Sequence, residues 1–175
     1  MDWKIEAGVI SDTDELEQLY DDINDYLDAN INYPYWKKGV YPTRKDAEDG
    51  IVKGTLFVLK ISGKIAGSML LNHIQYDAYA QAKWGVDAYG DEVMVLYRLV
   101  THPDFMKQGV SSHLLDFAKK YALEKGCKTI RLDVTPRNIP AIALYEKHGY
   151  TYVDTVDLGL PYEHLKWFKL YELVL

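Results

Sequence analysis

The sequence predicts an α/β (α+β) fold built on a mixed, mostly antiparallel sheet of about seven strands flanked by helices. Three features carry this expectation. Residues 55–61 and 64–74 are strand-like runs joined by Ser62-Gly63, a spacing that suits a tight antiparallel hairpin. Leu16, Leu19, Tyr20, Ile23 and Leu27 recur at helical spacing ahead of that hairpin. From residue 92 onward, strand and helix patterns alternate to the end of the chain.

In chain order, residues 4–10 read as a first strand, and Ser11 or Asp12 can cap the helix that follows. Residues 32–42 form an aromatic, irregular loop with Tyr33, Tyr35, Trp36 and Tyr41, and Thr43 can cap a short second helix to Lys53. The polar and aromatic stretch 75–91 is an excursion between strands, and 92–101 is a β-rich run. A helix from Val110 to Lys125 groups Val110, Leu114, Phe117, Ala118 and Tyr121 near one face, with Gly126 as its C-cap. Residues 129–135 alternate, with Ile130, Leu132 and Val134 on one side. A further helix ends at Gly149, and 150–157 and 165–174 supply the last two strands.

At 175 residues the chain has the size of one domain, residues 1–175, that can bury a core without disulfides or metal. No repeat, low-complexity tract or linker divides it. The composition, 48% hydrophobic and 26% charged, is that of a globular protein. A net charge of −6 argues against a nucleic-acid partner, because tracking phosphates needs clustered Lys and Arg. Cys127 is a lone cysteine, the first residues are too polar and acidic for a signal peptide, and no apolar run approaches the ~20 residues a membrane span needs. A soluble protein of the reducing cytoplasm is expected, with no membrane partner.

The segment L-V-T-H-P-D-F-M-K-Q-G-V-S-S-H-L-L (99–115) places a strand, a glycine-containing turn and a helix N-terminus in succession. First-turn helix amides lack intrahelical acceptors and the macrodipole adds positive charge, so a pyrophosphate can sit there if side chains stay small. Gly109, Ser111 and Ser112 meet that condition, and Lys107 adds a cation. No G-x-x-x-x-G-K-[ST] or G-x-G-x-x-G is present, which removes the P-loop and dinucleotide-fold readings. Farther on, Asn138, Ala141 and Tyr145 fall at i, i+3 and i+7 of a helix and share one face along which a ligand could lie.

These pieces resemble the GNAT-type N-acetyltransferases, whose donor site is a strand followed by [Q/R]-x-x-G-x-[G/A] and a helix. Met106 to Ser111 stands at that motif, with Gly109 in place, Met106 for the usual Gln or Arg, and Ser111 for the last Gly or Ala. The second family motif, N-x-x-A-x-x-L-Y-E-K-x-G-[F/Y], runs from Asn138 to Tyr150. The resemblance implies the acyl-CoA N-acyltransferase fold and acetyl-CoA as donor, without a metal. It also implies a primary amine of a small molecule or peptide as acceptor, and it allows a homodimer. By the same resemblance Leu99, Val100 and Thr101 would pair with the pantetheine arm. Lys107, Gln108, Gly109, Val110, Ser111 and Ser112 would hold the pyrophosphate, and Asn138 would hydrogen-bond pantetheine. Tyr145 would sit at the CoA sulfur as general acid.

Glu92 and His73 are the possible bases, and Glu92 is the one carried forward as catalytic; Arg98 reads as an ion-pair partner and Cys127 as no nucleophile. The first helix carries Asp12, Asp14, Glu15, Glu17, Asp21, Asp22, Asp25 and Asp28 without a Lys or Arg, which would attract a cationic acceptor. Tyr35, Trp36 and Tyr41 offer a cleft wall. The rival to catalysis is an acyl-CoA-binding or regulatory module of the same fold without chemistry, and retention of Tyr145 speaks against it.

Overall fold

A computed structural model describes residues 2–175. Seven strands, β1 (Trp3–Ala7), β2 (Leu56–Ile61), β3 (Lys64–Asn72), β4 (Val93–Thr101), β5 (Thr129–Val134), β6 (Thr151–Asp157) and β7 (Trp167–Val174), lie in the order β1-β2-β3-β4-β5-β7-β6. Pairing is antiparallel for β1 with β2, β2 with β3, β5 with β7 and β6 with β7, and parallel for β4 with β5. The helices are α1 (Thr13–Ala29), α2 (Arg44–Val52), α3 (Val110–Glu124) and α4 (Ile139–Lys147). The expected class and strand count hold.

The chain gathers into two compact units. The first takes residues through Asn32, Trp36–Leu71 and Tyr97–Phe117, and the second takes Tyr33–Tyr35, Asn72–Leu96 and Ala118–Leu175. In the first, Leu16, Leu19, Tyr20, Ile23 and Leu27 of α1 pack with Ala47, Leu56, Val58, Ile65 and Val100. This is the stripe that the helical spacing announces. Strand β1 stops three residues earlier than expected. Gly8 passes so close to Leu56 that a Cβ would lie 2.6 Å from its Cδ2, and a 3-10 turn at Ile10–Asp12 follows, closed by the Val9 amide donating to Asp12 Oδ2. Thr43 caps α2, its amide and hydroxyl both donating to Asp46 Oδ2 at 2.7 and 3.0 Å. Ser62 and Gly63 both have positive φ, +49° and +80°, as a type I′ hairpin turn requires.

In the second unit, β5 is buried on both faces. Ile130, Leu132 and Val134 share one side as expected, and Thr129 and Arg131 on the other side are enclosed as well. The reason lies in the excursion after β3, which holds two 3-10 turns at Asp77–Gln81 and Gly90–Glu92 and folds over Arg131. The guanidinium donates to Gln75 Oε1 and to the Val86 carbonyl at 2.9 Å each, and it stacks on Trp84 with 4.3 Å to the ring centroid. On its inner side Arg131 Nε meets Glu172 Oε2 at 3.3 Å, and both side chains are nearly inaccessible. Glu172 in turn accepts the Gly85 amide at 2.6 Å and the Thr129 hydroxyl at 2.9 Å. Residues 75–91 carry no periodic pattern because their order comes from this buried pair.

Removing one charge of a buried pair strands the other. Glu172→Gln is expected to lower unfolding stability by about 3–5 kcal/mol in urea titration and to open residues 75–91 to limited proteolysis.

Candidate active site

The first unit carries the candidate donor turn. Strand β4 ends at Thr101, a 3-10 turn occupies Pro103–Phe105, and Lys107 and Gly109 take left-handed φ of +61° and +81° before α3 begins. The left-handed backbone at Gly109, not crowding, makes glycine the suitable residue, since a Cβ there would meet nothing closer than His113 Nε2 at 3.7 Å. Thr101 Oγ1 and Ser111 Oγ share a hydrogen bond of 2.7 Å, which ties the strand end to the first turn of α3. The first-turn amides of α3, which follow directly on this turn, lack intrahelical acceptors. Lys107 and Gln108 are exposed, Val110 is buried, and Leu99 and Ser112 are half-buried. Gln108 is drawn back to the Asp104 carbonyl at 3.0 Å. Met106 packs into the hydrophobic core, so this position supports the turn from below and offers no polar side chain to a phosphate. His102 anchors the same turn: its Nδ1 accepts from the Asp104 amide, so Nε2 carries the proton toward Asp22 Oδ2 at 2.9 Å.

Several carboxylates of α1 and its N-cap are partnered within this unit. Asp14 and Glu17 pair with Arg44, Asp25 with Lys38 and Asp12 with Lys60, while Glu15 accepts the Ile65 amide. The run of carboxylates that would draw a cation is mostly engaged in holding the helix in place.

The second unit carries the tyrosine helix. Asn138 is the N-cap of α4, its Oδ1 accepting the Ala141 amide at 3.4 Å. Tyr145 is buried among apolar neighbours, with Tyr150 5.8 Å away between ring centroids. Asp133, on β5, is the residue that sequence reading missed. Burial pushes its carboxyl up to about 6, although the Tyr79 hydroxyl, donating to Oδ2 at 2.5 Å, favours the ionised form. Burial, and secondarily the Asp133 charge, push the Tyr145 hydroxyl well above the usual phenol range. The pair therefore sets a carboxylate that titrates near neutrality beside a phenol that stays protonated. The sequence did hold a hint, a carboxylate inside the apolar strand T-I-R-L-D-V just ahead of the helix bearing Tyr145.

Glu92 is tied into the fold: its Oε1 pairs with Lys128 Nζ at 2.6 Å and its Oε2 accepts the Tyr89 amide, which together hold its carboxyl below the ordinary range. His73 is likewise structural, with Nδ1 2.8 Å from the Val93 carbonyl oxygen. Burial raises the Cys127 thiol, which donates to the Asp91 carbonyl and is no nucleophile.

Residues 16–150 match the model of the acetyltransferase (GNAT) family. The chain belongs to that family. Within it, the sequence is 30% identical over 102 residues to an acetyltransferase of Pectobacterium atrosepticum, a stretch that covers 58% of this chain and 61% of that relative's length. The GNAT fold is shared with a GNAT-family acetyltransferase of Streptococcus agalactiae, with TM-score 0.76 and 20% identity over 99% of this chain and 95% of the other. An acetyltransferase structure from Staphylococcus aureus superposes with TM-score 0.71 at 22% identity, covering 97% of both chains. Among the described residues, no group of three or more His, Cys, Asp or Glu side chains could hold a metal ion, and no helix is long and apolar enough to cross a membrane.

Asp133 gives a stability signature. A carboxyl whose folded value lies near 6 against an ordinary 3.8 favours folding when protonated, so stability should fall as pH rises from about 4 to 6 and stay lower above that. Asp133→Asn is expected to remove this slope and to gain roughly 2–3 kcal/mol at pH 7.5, as read by urea unfolding across pH.

Proposed function

We propose that the protein transfers an acetyl group from acetyl-CoA to a primary amine by direct attack. The observation that carries this reading is the environment of Tyr145, a buried phenol kept protonated beside a carboxyl tuned toward neutrality. The amine nitrogen, deprotonated by Asp133 directly or through water, attacks the thioester carbonyl carbon. The tetrahedral intermediate collapses, the C–S bond breaks, and the departing sulfur takes a proton from Tyr145, which regains one from the acceptor nitrogen. Backbone amides near Leu99 stabilise the oxyanion. The left-handed turn at Lys107 and Gly109, with the amides of Val110 and Ser111, takes the pyrophosphate, and Asn138 donates to the pantetheine arm. No residue of the protein becomes acylated.

Because the phenol lies so far above a thiol's ordinary value near 8.5, its hydrogen bond to the sulfur weighs more than complete proton transfer before the bond breaks. Tyr145→Phe removes that donor but keeps the ring, so kcat is expected to fall by about 10²-fold while the affinity for CoA is kept. Thiol release at saturating acetyl-CoA, beside CoA titration by calorimetry, reads both; a wild-type kcat would remove Tyr145 from the chemistry.

The donor assignment has its own test. CoA at a hundredfold excess over its Kd should stabilise the native protein by about 2.7 kcal/mol. Gly109→Asp, which strains the backbone and sets a negative charge where the phosphate must approach, is expected to abolish the accompanying rise in Tm. A full Tm rise in that variant would move the phosphate site elsewhere.

A further inference from the structure

Asp133 stands where β5 leaves one of its partners. The parallel register of β4 with β5 runs from Val93 opposite Thr129 to Val95 opposite Arg131 and ends two residues short of Asp133, while on the other side β7 sets Leu170 opposite it. The residue is half-buried, although Leu132 and Val134 beside it are enclosed. Its two carboxylate oxygens differ in their surroundings. Oδ2 takes the Tyr79 hydroxyl at 2.5 Å, the short length of a charge-assisted bond between a hydroxyl and a carboxylate. Among the described residues none bonds to Oδ1, and this oxygen is not one of the sealed side-chain atoms that lack a partner, so it keeps an opening to solvent. The Tyr145 hydroxyl is likewise unsealed, whereas that of the neighbouring Tyr150 is closed off. One oxygen of the carboxylate is tied, and the other is left for an incoming proton.

Tyr79 is itself held in one place. It sits in the 3-10 turn Asp77–Gln81 and is 1% exposed. Its carbonyl accepts the Trp84 indole N–H at 2.8 Å, the two rings lie 5.4 Å apart between centroids, and the Trp84 ring carries the Arg131 guanidinium at 4.3 Å. Arg131 is fixed in turn by Glu172, so the placing of the Tyr79 hydroxyl is inherited from the buried ion pair. The groups that face Asp133 are Tyr79 from this excursion and Tyr145 from α4. Arg131, two places back on the same face of β5, is spent on Glu172, Gln75 and the Val86 carbonyl. Tyr79 is therefore the donor that opposes the effect of burial on this carboxyl, since a hydrogen bond to the ionised form favours it.

We infer that Tyr79 is a positioning residue of the acetyl transfer: by binding Oδ2 it fixes the Asp133 carboxylate with Oδ1 open to the acceptor amine and favours the ionised form that can take a proton. The inference rests on the acetyl-transfer reading, in which Asp133 deprotonates the acceptor. The proton passes from the amine nitrogen, directly or through water, to Oδ1. Tyr79 keeps its own proton and touches neither the acceptor nor the donor. The same carboxyl without this bond would hold its proton to higher pH and leave less base.

The test compares the wild-type protein with Tyr79→Phe, which deletes one oxygen and keeps the packed ring. Asp133 is followed by carbon-13 NMR of the side-chain carboxyls without substrates, with Asp133→Asn identifying its signal. Its titration midpoint is expected to rise by about one pH unit in Tyr79→Phe, the loss of one hydrogen bond to a charged group. Turnover is followed as thiol release from acetyl-CoA with spermidine, L-lysine and the dipeptide amide of alanine and glycine as acceptors. The ratio of variant to wild-type kcat/KM cancels the acceptor's own titration; it should be down about fivefold near pH 6 and return toward unity above about pH 8. The CoA-induced Tm rise should be intact. Trp84→Phe, which removes the N–H that holds the Tyr79 carbonyl, serves should Tyr79→Phe not fold, and it should raise the same midpoint by about 0.3 unit or more. A raised midpoint with a loss confined to the acid side supports the inference. A raised midpoint where none of the three amines is acetylated still supports the hold of Tyr79 on Asp133, and the acetyl-transfer reading alone then fails. An unchanged midpoint, or a loss in kcat/KM that is the same at every pH, overturns the inference and leaves Tyr79 a packing residue.

Discussion

A buried charge that cannot reach water must find its partners inside the protein, and the pair Arg131–Glu172 shows how much structure that requirement organises. Leaving either member alone would cost several kcal/mol. Together they recruit Thr129, Gly85, Gln75, the Val86 carbonyl and Trp84, so that a stretch without helix or strand is fixed over the middle of β5. The same covering encloses β5 from its outer side, and Asp133 lies two residues along from Arg131 on that strand. The enclosure that makes the Asp133 carboxyl reluctant to ionise comes from the same source as the order of residues 75–91.

Where local chemistry decides structure, the sequence could be read. The hairpin needed two left-handed residues and had Ser62-Gly63; α2 needed a cap and had Thr43; the stripe from Leu16 to Leu27 had to face an apolar neighbour. The donor turn and the tyrosine helix were legible because their spacing is itself a recurring pattern. What escaped were the properties that exist only after folding. Nothing in a linear string sets Glu92 beside Lys128, Asp14 and Glu17 beside Arg44, or Asp133 beneath Tyr79. These partnerships cross dozens of residues, and they reverse the roles that composition suggests: the exposed glutamate becomes a cap, the acidic helix a set of ties, and the strand aspartate the carboxyl with an unusual proton affinity.

Both units carry polar groups held at a cost, and they do so in different ways. In one, a buried phenol lies beside a partly buried carboxyl, and the protonation of both is shifted upward. In the other, Arg98 is forced into a left-handed conformation next to hydroxyls that find no partner.

Met106 packs against the core, so this chain has no polar side chain where the family's motif usually has Gln or Arg, and in the proposed reading recognition of the pyrophosphate falls to main-chain amides shaped by Lys107 and Gly109. Drift in the sequence around the turn is therefore tolerated for as long as the chain can still make the same bend.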